Sequence, residues 1–307
     1  MRATHPPVPH PTRATTRLGR LAPLALAAGL AACSGGAPEV GRGPTQGLEV
    51  IDAGELNEVM LAVAEPGEAV AHFQRSAAAR PGDAAVRRGL AESLMRAERF
   101  EEAAAAWAAL VESGGATEAD RVALAEALIR AGDWDGARAA LDAVPPTHET
   151  ARRYRLEAMV ADAREDWARA DAFYEIAAEL AAQPAGVLNN WGYSKLARGD
   201  HAGAERLFER ALAADPSLFT AKNNLVLARG ARGHYEVPLV PMTQAEHATL
   251  LHTLGLAAVK SGDVAIGREL LRDALETHPQ HFDAAARVLA ALEAEAAAPE
   301  AFAEAFP

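Results

Sequence analysis

The sequence has little of what many folds use to hold themselves together. It carries one cysteine, Cys33, in 307 residues, so no intramolecular disulfide is available. Aromatic residues make up only 5% of the chain. Runs of Val, Ile, Thr and aromatics of the kind that build strands are nearly absent, which argues against a sheet core. The apolar stretch Leu21 to Leu30 is about ten residues, too short to cross a bilayer as a helix. Catalytic patterns are missing too. There is no HExxH, no glycine-rich phosphate loop and no GxSxG elbow. His278 and His281 share one loop around Pro279 and Gln280, but zinc takes at least three protein ligands. No catalytic residue, metal or cofactor is therefore expected. Positive charge is also in deficit, with 30 basic against 42 acidic residues and a net charge of −12. That balance argues against nucleic acid, whose binding draws on phosphate neutralisation by Lys and Arg, and it favours a basic partner.

What is abundant is alanine, and half the chain is apolar. Alanine has the highest helix propensity and little bulk, so closely packed helices are the expected core. The N-terminus is a separate matter. Residues 1–32 hold Arg2, Arg13, Arg17 and Arg20, no acid, and then the apolar stretch ending Leu30, Ala31, Ala32, Cys33. This is the layout of a secretory signal, and its end resembles the lipobox of bacterial lipoproteins. The resemblance implies cleavage before Cys33 and acylation of its thiol, with buried methylenes anchoring the chain to a lipid membrane. Ser34 in place of Asp implies sorting to the outer membrane. Removing the four leader arginines leaves 26 basic against 42 acidic residues, a net charge of −16. Residues 33–49 (Ser34 to Gly47 reads SGGAPEVGRGPTQG) have Gly and Pro at close intervals and read as a flexible tether.

From residue 50 the sequence repeats itself. In the unit Ala185 to Leu218, Trp191, Gly192, Ala204, Phe208, Ala211 and Pro216 stand at positions 7, 8, 20, 24, 27 and 32. This resembles the tetratricopeptide pattern of two antiparallel helices, A and B, in 34 residues. Small residues at 8 and 20 let the helices approach, a bulky residue at 24 fills the gap, and Pro ends helix B. Units start at Val50, Ala84, Glu118, Ala151, Ala185, Phe219 and Ala248. Position 8 holds Ala91, Ala125, Ala158, Gly192 and Gly255; position 20 holds Ala69, Ala103, Ala137, Ala170, Ala204 and Gly267. Position 24 holds Phe73, Trp107, Leu141, Tyr174, Phe208 and Leu271. The expected fold is an all-α tetratricopeptide superhelix over residues 50–281, capped by a helix over 282–295, with a disordered tail over 296–307.

Two units depart from the template. The first has Asn57 where a small residue belongs and Pro66 in the turn. The sixth has a helix A (FTAKNNLVLARGARG) but, in place of helix B, the run Tyr235-Glu236-Val237-Pro238-Leu239-Val240-Pro241-Met242. Two prolines three apart exclude a helix there, and Thr243 with Glu246 reads as the capping box of the next one. Trp107, Trp134, Trp167 and Trp191 are expected to be core or turn residues.

In such a solenoid, binding falls on the concave wall lined by helix A. Position 5 gives Arg88, Val122, Arg155, Asn189, Asn223 and His252; position 9 gives Glu92, Glu126, Met159, Tyr193, Leu227 and Leu256. Arg155, Asn189, Tyr193 and Asn223 form a polar middle that is the candidate partner-binding groove. Asn is a poor helix former without a partner for its side chain. Two uses of the asparagines are open: gripping an extended peptide, or bonding one repeat to the next.

The runs NNWGYSKLARGDHAGAERLFERALAADP, AKNNLVLARGARGHY and PMTQAEHATLLHTLGLAAVKSGD, with the proline insertion and the lipobox, resemble the TadD-type lipoproteins of the tight-adherence (Flp) pilus assembly system. The resemblance covers Gly186 to Leu292 and Cys33; residues 50–185 match only as generic repeats. It implies a non-enzymatic lipoprotein on the periplasmic face of the outer membrane that helps the pilus secretin to localise or assemble. The alternative is an adaptor for another envelope complex, in outer-membrane protein insertion or cell-wall enzyme scaffolding.

Overall fold

The computed structural model describes residues 53–305. The leader, the acylation site at Cys33 and the tether lie outside the described residues. Within them the chain forms helices only. Paired in chain order, they are α1 (Ala53–Ala62) with α2 (Pro66–Ala79), α3 (Ala84–Arg96) with α4 (Phe100–Glu112), and α5 (Glu118–Ala131) with α6 (Trp134–Asp142). Then come α7 (Ala151–Ala163) with α8 (Trp167–Leu180), and α9 (Ala185–Ala197) with α10 (His201–Ala214). Helix α11 (Phe219–Gly230) stands without a second helix, followed by α12 (Gln244–Lys260), α13 (Val264–Thr277) and α14 (Asp283–Ala305). Helices α3, α5, α7, α9 and α11 begin at the first residues of their sequence units.

The register explains the packing. At position 20, Ala69, Ala103, Ala137, Ala170 and Ala204 have no exposed surface, and neither do Ala91, Ala125 and Ala158 at position 8. Position 24 is equally closed, from Phe73 and Trp107 to Phe208 and Leu271. Each such side chain contributes about 1.5–3 kcal/mol by burial, so the small residues serve mainly to make room. Gly192 shows how little room there is: a methyl group there would lie 2.6 Å from the Phe208 ring.

The turn between helices A and B has one backbone requirement. Position 15 lies in the left-handed region in every unit from the second on: Glu98, Gly132, Glu165, Gly199, Gly233 and Gly262 all have positive φ. Glycine adopts this at no steric cost; Glu98 and Glu165 do so against a side-chain clash. An aspartate usually follows. Asp133, Asp166 and Asp200 each accept the N–H three residues on and so cap the next helix. Pro66, read from sequence as a turn residue, is the first residue of α2, where a missing N–H costs nothing. Asn57 is used rather than tolerated, with its Oδ1 2.8 Å from His72 Nε2.

The sixth unit is where the layers differ. Residues 231–243 form no helix, and the insertion is held by several contacts. Tyr235 donates to Asp263 at 2.6 Å. Lys222, only 1% exposed, donates to the Pro241 carbonyl at 2.7 Å and stands 3.4 Å from Glu246. Val237 and Met242 pack on the cluster of Leu250, Leu254 and Leu271. Leu239 projects fully into solvent. Thr243 and Glu246 form a reciprocal capping box, so α12 begins at Gln244, ahead of the unit boundary at Ala248. The tail needs correction. Residues 296–305, expected to be disordered, continue α14 beyond its expected end at 295.

Candidate functional site

Helix-A side chains line three cavities along the concave wall. The N-terminal one, about 640 Å³, is bounded by Arg88, Glu92, Asp120, Glu126, Arg152 and the ring of Trp107, among others. It is a lattice of ion pairs between successive helices A. Arg88 grips both oxygens of Asp120 at 2.7 Å, and Asp120 also accepts the Thr117 N–H in a capping box. Burial pushes the Asp120 carboxyl up, but the bonds from Arg88 and Thr117 outweigh it and hold the group below its ordinary range. Glu126 accepts from Arg152 at 2.7 Å and from Arg155 at 2.9 Å. Glu92 has no hydrogen bond or ion pair among the described residues, and burial raises its carboxyl despite the nearby Arg88.

The central cavity, about 470 Å³, has different chemistry. Its walls are Trp134, Met159, Trp167 and Tyr193, and its floor is Asn189, Asn190, Ser194 and Asn224. Tyr193 is 59% exposed and Trp134 37%, the two large apolar surfaces a ligand meets first. The one carboxylate, Asp162, accepts from the Tyr174 hydroxyl at 2.9 Å and from Ser194 at 2.7 Å. Burial dominates there and raises its carboxyl above the ordinary range, although both hydroxyls oppose it. Nearby cations are occupied: Arg198 and Lys195 bind Asp171, which also accepts the Trp191 indole N–H at 2.6 Å. Arg198 also lies over the Trp167 ring at 5.5 Å. The result is an aromatic groove with amide groups at its base and no uncommitted charge lining it. The C-terminal cavity, about 550 Å³, is largely aliphatic, with Leu196, Leu227, Leu256 and the stem of Lys260.

The residues singled out from sequence do not all meet. Asn189 and Tyr193 line the central groove; Arg155 and Asn223 are not among its lining residues. Arg155 belongs to the ion-pair lattice through Glu126. Asn223 accepts from the Thr253 hydroxyl at 2.9 Å. Asn189 accepts from Asn224 Nδ2 at 3.0 Å. Asn189 and Asn223 thus tie one repeat to the next, one of the two uses that the sequence left open, while Asn189 also lines the groove. Asn190, which makes no such link among the described residues, is the amide facing the groove without a protein partner.

Sequence reasoning missed Trp134 and Trp167 as groove walls. Each is the first residue of its helix B. The signal was present in the register, because position 17 carries Phe100, Trp134, Trp167, His201 and Tyr235 in consecutive units. Trp107 is a core residue at 2% exposure, and Trp191 packs at 6.4 Å from Tyr174. Among the described residues, no cluster of metal-binding side chains occurs, and His278 bonds to the Gln280 backbone within its own loop.

Comparison with known proteins agrees with this architecture. Tetratricopeptide repeat models match residues 60–120 and 189–236. No curated protein sequence matches the chain. Among solved structures, a chain of the APC/C hetero-tetramer Cut9-Hcn1 is 14% identical with a TM-score of 0.56, over 78% of this chain and 48% of that one. The present chain thus spans about half its length. A tetratricopeptide repeat protein from Parabacteroides merdae is 12% identical with a TM-score of 0.53, over 78% and 96%. A chain of the human IFIT1 dimer with PPP-AAAA is 14% identical with a TM-score of 0.52, over 77% and 61%. At these identities the likeness is one of fold: an all-helical tetratricopeptide superhelix.

Proposed function

Starting from a superhelix of tetratricopeptide repeats, in general a non-enzymatic scaffold for protein partners, we propose that this chain is a lipid-anchored assembly factor. In this reading Cys33 is acylated and holds the protein on the periplasmic face of the outer membrane. The concave wall then binds a segment of an envelope protein, the secretin of a tight-adherence pilus or a component bound to it. The observation that carries the binding role is the central groove, where Trp134 and Tyr193 present exposed aromatic surface over a base of amides. Such a groove suits an extended segment, since flat rings cover side chains at low entropic cost and amides satisfy a peptide backbone. The pilus assignment is supported by the resemblance over residues 186–292, above all by the proline insertion that ordinary repeats lack.

Deleting the gene is expected to lower secretin multimers in the outer membrane and to remove surface pili; normal secretin levels and piliation would overturn the assignment. Cys33→Ser is expected to leave the protein uncleaved or soluble. Salt-resistant membrane retention of that variant would refute the anchor.

A further inference from the structure

Position 9 of helix A faces the concave wall, and the residues found there line the three cavities in sequence. Glu92 and Glu126 line the N-terminal one, Met159 and Tyr193 the central one, and Leu227 and Leu256 the C-terminal one. One register of the wall therefore passes from ionised to aromatic to aliphatic. At the ionised end one charged side chain, Glu92, is uncommitted. Arg88 commits both arms to Asp120, Arg152 and Arg155 hold Glu126, and Arg96 caps α1 through the carbonyls of Met60, Leu61 and Ala64. Arg88 and Arg152 act on Glu92 only through space. A half-buried carboxylate without a donor gains a charge-assisted bond when a cation enters the groove. At the other end Leu256 is 41% exposed, so apolar surface is open there.

We propose that the wall recognises one extended peptide of graded chemistry. A Lys or Arg side chain sits on Glu92 in the N-terminal groove, and uncharged apolar side chains lie along Tyr193, Leu227 and Leu256. This inference rests on the reading of the concave wall as the partner-binding face, and it adds the polarity of what is bound. The net charge of −12 assists by drawing the basic end towards the protein.

The test pans a phage-displayed library of random peptides, about 16 residues long and roughly 50 Å when extended, against the full-length chain. Recovered peptides are expected to carry Lys or Arg at one end and apolar residues at the other. For a selected peptide, Glu92→Gln is expected to weaken binding about fivefold, and to leave unchanged the binding of the same peptide with its basic residue replaced by Gln. Unsegregated peptides, or an equal loss on both peptides, would overturn the graded wall while leaving the scaffold standing. Failure to recover any peptide sensitive to either Glu92→Gln or Tyr193→Ala would bring down both.

Discussion

The N-terminal and central grooves are cut by the same helix-A positions, yet they keep their shapes by opposite means. In the first, Arg88, Asp120, Glu126, Arg152 and Arg155 neutralise one another across successive helices. In the second, the polar groups are mostly neutral: Asn224 bonds to Asn189, and Tyr174 and Ser194 bond to Asp162. The difference shows that a repeat fixes geometry and leaves chemistry free. Small residues recur at 8 and 20, whereas positions 5 and 9 change their chemistry from unit to unit. An ion-pair lattice is rigid but sensitive to the loss of any member, because the survivor is left charged. An aromatic wall loses binding surface when cut back and little else.

The largest expected effect breaks the first groove. Asp120→Ala removes the partner of Arg88 and half of a capping box, and should cost about 3 kcal/mol in urea unfolding. A loss below about 1 kcal/mol would mean that the lattice is ornamental. The next sharpens the contrast from the other side. Tyr193→Ala should change stability by no more than about 0.5 kcal/mol, while weakening partner capture by about 2 kcal/mol, some 30-fold. Equal losses of folding and binding would place Tyr193 in the core instead. The smallest effect is one of ionisation. Carboxylate titration by NMR should find Asp120 below the ordinary aspartate range and Asp162 above it. The signs follow by linkage. Asp120, lowered by folding, adds stability above its unfolded pKa that is lost as pH falls towards its folded value. Asp162, raised by folding, detracts at neutral pH and recovers as pH falls through its folded value. Both titrating on the same side of the ordinary value would erase the electrostatic difference between the grooves.

Much of the fold was legible because repeat packing leaves a local record. Ala103, Ala137 and Ala204 recur at one position of the repeat for one reason, and the Thr243–Glu246 box announces a helix start from four residues. The groove was less legible. Arg88 meets Asp120, and Arg155 meets Glu126, only after the stack has set one helix beside the next, and the spacing alone does not say which partner each finds. Asn189 and Asn223 were visible as unusual helix residues, but their use as links depended on Asn224 and Thr253. Trp134 and Trp167 were hidden by their place at the head of helix B. That position looks like a turn in one repeat and becomes a wall only when the next repeat closes over it.

A solenoid conducts cooperativity from neighbour to neighbour, and its weakest junction sets where it divides. Between α11 and α12 the outer layer is missing a helix, and the insertion bridges the gap on few fixings: the Tyr235 hydroxyl, the apolar packing of Val237 and Met242, and Lys222. Lys222 ties α11 to the insertion at the Pro241 carbonyl. The seam beside the insertion is therefore closed directly, helix A against helix A, by Lys222, by the Asn223–Thr253 bond and by Val226 packed with Leu250 and Leu254. A pull on α12 to α14 reaches α11 through that shared core and those two polar ties, with no outer helix to carry it.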